Sequence, residues 1–244
     1  MNPFKKTIKS LLRRFGYDVV QFTPGSSPFQ MVKLLLDEYG IGLVFDVGAN
    51  VGQYAIGLIE HGYKGKIVSF EPLSGPYRLL REKTRGVKKW SLAERCAIGE
   101  ANKITTINIS KNSVSSSILP ILQEHINAEP NSIYIGSEEV QMYRLDEVGR
   151  KIIKEEGRPA FLKIDSQGYE DKVLEGAADI LDKIFVMQIE MSIIPMYDGQ
   201  RDFGQMLPFV KNLGYDLFGI FPGFTDVKRG RMYQIECIFV KKIN

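Results

Sequence analysis

From Ile41 onward, short apolar runs ending in acidic or glycine-bearing turns alternate with segments of helical periodicity, and this alternation constrains the fold more than any other feature of the chain. "IGLVFDVG", "GKIVSFEP", "AFLKID" and "KIFVMQIEM" are nearly continuous in apolar residues, as strands covered on both faces must be. Gln53 to His61, Tyr77 to Lys83, Asp146 to Glu156 and Tyr169 to Leu181 read as the helices between them. Strands and helices alternating at this pitch imply βαβ units and an α/β open sheet, mostly parallel. "WSLAERCAIG", "KITTINIS" and "VQMYRL" read as further strands, and Phe203 to Leu213 as a last helix. "YDLFGIFPG" and "MYQIECIFVKK" have no helix between them and are expected to close the sheet as an antiparallel hairpin.

The 244 residues suit one domain, residues 31–244, preceded by an appended segment, residues 1–30. In that segment Phe4, Ile8, Leu11, Leu12 and Phe15 fall at helical spacing opposite Lys5, Lys6, Lys9, Arg13 and Arg14, and Gly16 is placed to end the helix. Such a basic amphipathic helix either docks on its own domain or makes peripheral contact with an anionic membrane surface. "TPGSSPF" then reads as a linker. The net charge of +3 is too small to imply a polyanionic partner, so no nucleic acid is expected. Two cysteines, each in a buried-strand run, argue against a disulfide scaffold or a metal cluster. No bilayer-spanning run and no cleavable leader pattern is present, so a cytoplasmic protein is expected, with the membrane surface left open for the helix.

In open α/β sheets the ligand lies at the carboxyl ends of the strands. The first strand ends at Asp46, with Gly48, Asn50 and Gly52 in the turn after it; the second ends at Glu71 and Pro72. Glycines allow a sharp turn and close approach of a ligand, and a carboxylate at 71 can accept hydrogen bonds from both hydroxyls of an adenosine ribose. G-A-N-V-G fails the G-x-G-x-x-G spacing of a dinucleotide site, and an acid before the first glycine suits a sulfonium or ammonium better than a pyrophosphate. S-adenosylmethionine is therefore expected over NAD. Fold position adds Cys96, Ala97 and Ile98 as residues near the adenine.

These residues resemble the FkbM-type S-adenosylmethionine-dependent methyltransferases. "FDVGANVGQY" is similar to that family's first motif, "SFEP" to its second and "LKIDSQGYEDKVLEGA" to its most diagnostic block, over roughly Val44 to Glu190. The resemblance implies a class I methyltransferase fold and methyl transfer, commonly to an oxygen of a sugar or natural product. Asn50 replaces the central glycine of the generic turn, and Gln167 stands where many members have glutamate, which sets a catalytic role at 167 in doubt.

Methyl transfer to a hydroxyl requires alignment and removal of a proton. Three residues are candidates. Asp165, at the end of the fourth parallel strand, orients the acceptor or takes its proton, or else it or Ser166 caps the following helix. His125 lies in the long polar segment Asn112 to Glu138, where a serine-rich stretch followed by a histidine also resembles the family; the alternative is a surface or capping role. Glu190 ends the fifth strand after an apolar run and needs a cleft or a partner, the acceptor or Lys163. His61, beside Gly62, reads as a solvent-facing cap. No metal site is expected. The expected acceptor is a small molecule or saccharide. The rival readings are N-methylation of RNA or protein, and a binding protein that keeps the fold without catalysis.

Overall fold

The computed structural model describes residues 3–242, the side chains of residues 3–5 excepted, so Phe4 and Lys5 of the amphipathic pattern lie outside the described side chains. Strands in chain order are β1 (Leu43–Val47), β2 (Lys66–Phe70), β3 (Trp90–Leu92), β4 (Ala97–Ile98), β5 (Lys103–Ser110), β6 (Tyr134–Tyr143), β7 (Ala160–Ile164), β8 (Ile184–Ser192), β9 (Tyr215–Pro222), β10 (Thr225–Asp226), β11 (Arg231–Met232) and β12 (Gln234–Lys241). Helices are α1 (Pro3–Arg14), α2 (Pro28–Glu38), α3 (Gln53–Glu60), α4 (Ser74–Thr84), α5 (Gln123–Ala128), α6 (Leu145–Glu156), α7 (Glu170–Glu175) and α8 (Phe203–Asn212).

Seven strands form the central sheet in the order β3-β2-β1-β7-β8-β12-β9. The first five are parallel, and β12 runs antiparallel to both β8 and β9. Both faces are covered. Phe45, Leu162, Met187 and Phe239 pack on one side, and Val44, Phe161, Val186 and Ile238 on the other, all fully buried, which is why these strands read as unbroken apolar runs. Strand order reverses between β1 and β7, so a crevice opens at their carboxyl ends.

Two elements divide where the sequence suggests continuity. "WSLAERCAIG" is split between β3 in the central sheet and β4 in a small second sheet, β4-β6-β5, that stands over the crevice. Tyr169 to Leu181 holds only α7 and a 3-10 turn at Ala178–Lys183; between them Gly176 lies so close to the backbone of Gly99 that a Cβ would sit 1.9 Å from its carbonyl oxygen. The predicted polar stretch 112–138 resolves into a serine-rich loop, α5, a short 3-10 turn and the start of β6. α2 begins at Pro28, with Ser27 accepting a hydrogen bond from Gln30 N as its cap. Before Ser27 no described residue is buried.

Candidate active site

The crevice is a cavity of about 290 Å³, and its two ends are built differently. At the β1 and β2 end the backbone dominates. Gly48 and Ala49 N–H both donate to Phe70 O, folding the turn across the end of β2. Glu71, 3% exposed, accepts from Asn50 N at 2.7 Å on Oε2 and from Leu73 N at 2.8 Å on Oε1. Burial pushes its carboxyl up to about 7, although both backbone donors oppose the shift. Val51 N donates to Asn50 Oδ1 at 2.9 Å. The amides of Gly48 to Gly52 are thus committed to the Phe70 and Ala49 carbonyls, the Glu71 carboxylate and the Asn50 side chain, leaving none of them to hold a pyrophosphate.

Seven of the nine predicted cofactor residues line the cavity: Gly48, Asn50, Glu71, Pro72, Cys96, Ala97 and Ile98. Asp46 and Gly52 lie off the cavity wall. Strand alternation turns Asp46 onto the sheet face beneath α3, where it is fully buried. There it accepts from Ser69 Oγ at 3.0 Å, lies 3.9 Å from Lys163 Nζ, and keeps Oδ1 without a hydrogen-bond donor. Gly52 caps α3 at φ 85°, and a Cβ there would strike Leu80 and Trp90 at 2.7 Å. Gly48 is fixed by the fold as well, because at φ 77° its Cβ would sit 1.8 Å from the carbonyl oxygen of Asp165.

At the β7 and β8 end, side chains from distant segments converge. Asp165 is not a helix cap: Lys163 Nζ donates to Oδ2 at 3.2 Å and Gln167 Nε2 to Oδ1 at 2.7 Å, while α7 begins only at Glu170. Glu170 folds back to accept from Ser166 N and Gly168 N, both at 3.0 Å, and holds the turn in which Gln167 takes φ 53°. Gln167 Nε2 also donates to Glu190 Oε2 at 2.8 Å, as does Gln234 Nε2 at 2.7 Å. The amide of Gln167 has one orientation available. Its NH2 must face two carboxylates, and its Oε1 accepts from the Tyr197 hydroxyl at 2.7 Å.

Glu190 lines the cavity and does not pair with Lys163, which goes instead to Asp165 and Asp46. Burial, reinforced by Asp165, Glu236 and Glu170, raises its carboxyl well above the ordinary range. Glu236 is its direct partner across β8 and β12, so two like charges face each other in register. Burial opposes the charge on Lys163, but Asp165, Asp46 and Glu236 outweigh it and raise the ammonium's pKa. His125, on α5, is 3% exposed and lines the cavity edge-on to Tyr197, ring centres 5.2 Å apart. Its Nδ1 has no hydrogen-bond partner, and burial pushes the imidazole down to about 4, keeping it neutral at ordinary pH. His61 is half-buried at the end of α3, its Nδ1 2.7 Å from Gly57 O and its ring stacked on Phe29.

The serine-rich loop closes the cavity from above. Ser117 Oγ donates to Gln167 O at 2.6 Å, and the Tyr197 hydroxyl shares its proton with Ser115 O at 3.0 Å, so loop and network hold each other. Asn112, Ser113, Ser115 and Ser116 border the cavity. Sequence reasoning missed Gln167, Tyr197 and Gln234 in this network.

A family model described as the methyltransferase FkbM domain matches residues 46–217. The chain belongs to this family. It is an S-adenosylmethionine-dependent methyltransferase with an α/β fold whose mostly parallel sheet ends in an antiparallel hairpin. Solved structures similar to this methyltransferase include an rRNA methylase from Streptococcus thermophilus, with 15% identity, 89% of this chain and 98% of that one covered, and a TM-score of 0.46. Another is a precorrin-6y C5,15-methyltransferase from Geobacter metallireducens, with 11% identity, 88% and 89% covered, and a TM-score of 0.44. A third is LepI in complex with SAM, with 11% identity, 99% and 53% covered, and a TM-score of 0.44. Comparison with curated proteins finds no match.

The residues present fit the cofactor. Both Glu71 oxygens keep a lone pair for a ribose hydroxyl beyond the backbone donors they already accept, and Leu73, Ala97, Ile98 and Tyr169 give an apolar slot beside them.

Proposed function

We propose that this methyltransferase O-methylates a hydroxyl of a small saccharide, glycolipid or natural-product intermediate, with Glu190 as the base. The observation that carries this reading is the Asp165–Gln167–Glu190 bridge at the far end of the cavity. S-adenosylmethionine, when bound, supplies an electrophilic methyl group. The protein's own task is to aim a hydroxyl at it and remove the proton. Asp165 is held on both oxygens by Lys163 and Gln167, which makes it a fixed acceptor able to orient the hydroxyl. Glu190 takes both amide donors on Oε2, so its Oε1 is the oxygen assigned to the proton. Its raised pKa makes it a stronger base than an ordinary carboxylate.

His125, pushed down to about 4, holds a proton too weakly for that task and serves as a neutral wall and hydrogen-bonding group toward the acceptor. Serine and asparagine side chains around the cavity match a ligand bearing several hydroxyls. The first 22 residues hold five basic side chains and one acid within a net charge of +3, so the rest of the chain is slightly acidic and offers no general attraction for RNA.

Methyl transfer from labelled S-adenosylmethionine, measured across panels of saccharides, RNA and peptides, tests the reading. Label on a saccharide or another hydroxylated small molecule is expected. Label confined to RNA or peptide contradicts it, and cofactor binding without turnover on any panel supports the non-catalytic alternative.

A further inference from the structure

The N-terminal segment has no counterpart in the cavity's chemistry and no buried residue among its described ones, yet it is organised. α1 is closed off by a turn at Gly16, φ 82°, with Tyr17 N donating to Leu12 O. Arg13 donates to both oxygens of Asp18, at 3.3 and 2.9 Å, and Lys9 lies 3.3 Å from the same carboxylate, so the chain beyond the helix folds back toward it. Phe22 then meets His61 at 5.8 Å between ring centres, which ties the segment to α3.

What this unit displays is unusual for a surface that stays in water. Leu11 is 54% exposed, Phe15 71%, Tyr17 69%, and Ile8, Val19, Val20 and Phe22 are exposed with them. Scattered apolar residues need no explanation, but a run of seven within fifteen residues does. The same stretch carries the molecule's positive charge: Lys6, Lys9, Arg13 and Arg14 against Asp18, while the domain that follows is slightly acidic. Two such segments would repel one another, which disfavours a second copy of the chain as the occupant of this face. α1 has 12 residues and spans about 18 Å, and among the described residues no helix is long and apolar enough to cross a membrane.

We propose that residues 6–22 are an interfacial anchor that seats the enzyme on a membrane surface rich in anionic lipid headgroups. Apolar side chains enter the headgroup boundary while the basic ones pair with phosphates, the combination by which amphipathic helices bind without spanning. The proposal stands independently of the acceptor.

The test is co-sedimentation of the full chain with phosphatidylcholine vesicles and with vesicles of phosphatidylcholine mixed with phosphatidylglycerol, at low and high salt. Binding only to the anionic vesicles, released by salt, is expected. Leu11→Glu combined with Phe15→Glu should abolish it. Lys6→Ala combined with Arg14→Ala should weaken it roughly fivefold per charge removed. Cofactor-induced thermal stabilisation, unchanged in both variants, shows that the domain is intact. Equal binding to both vesicle types, no binding to either, or undiminished binding by the Leu11→Glu, Phe15→Glu variant overturns the proposal. So does a dimeric mass by light scattering that the same variant reduces to a monomer.

Discussion

The two ends of the cavity solve different problems. The end proposed for the cofactor is a backbone construction: one turn, two strand ends and a carboxylate fixed by Asn50 N and Leu73 N. The end proposed for the acceptor is a side-chain construction, with Asp165, Gln167, Glu190, Tyr197 and Gln234 drawn from four stretches of chain and locked by amides. A backbone site serves a ligand that does not vary, whereas a side-chain network can be retuned residue by residue without disturbing the sheet.

If that division holds, substitutions at the two ends separate binding from turnover. Glu190→Gln keeps the shape and both neighbouring amides but cannot accept the proton; turnover should fall about a thousandfold with cofactor affinity intact, read from kcat beside calorimetric binding. Glu71→Gln should do the reverse, weakening the cofactor roughly thirtyfold through loss of charge-assisted hydrogen bonds.

The comparison sharpens with pH. Glu71 is pushed up to about 7, and a proton on it occupies a lone pair that a ribose hydroxyl needs. Cofactor affinity should therefore be full above pH 7 and fall as pH drops through that value, by up to about tenfold per unit, with the dependence absent in Glu71→Gln.

A smaller effect is expected at Tyr197→Phe, which frees the Gln167 amide to turn: about a tenfold loss in kcat with KM little changed. Gln167→Glu, by placing a third carboxylate between Asp165 and Glu190, should move the pH–rate profile upward, a change that packing damage alone would not cause.

Gly48→Ala tests what the shared turn is for. At φ 77°, with Asp165 O in the way, it should cost about 3 kcal/mol or more and lower the melting temperature by roughly 10 °C even without cofactor.

The strand ends were legible because local pattern sets them. An apolar run closing on Glu71 or Asp165 announces a cavity edge, and both lie there. Asp46 belongs to the same motif but lies off the cavity wall, because a period of two sends its side chain to the opposite face, beside Ser69 and Lys163 on neighbouring strands. Gln167 was discounted because a neutral amide carries no chemistry alone; its role exists only once Tyr197, 30 residues on, fixes which end of the amide faces the carboxylates. The N-terminal helix was legible as a helix, but whether its apolar face meets the domain depends on tertiary contacts that no periodicity encodes.

The most direct test of the central claim measures cofactor affinity and labelled methyl transfer side by side in the wild type, Glu190→Gln and Glu71→Gln, with whichever hydroxylated acceptor the panel yields. Glu190→Gln that binds S-adenosylmethionine as tightly as the wild type but transfers almost nothing, beside Glu71→Gln that binds weakly yet turns over at saturating cofactor, is the predicted result. Wild-type turnover by Glu190→Gln would contradict the account.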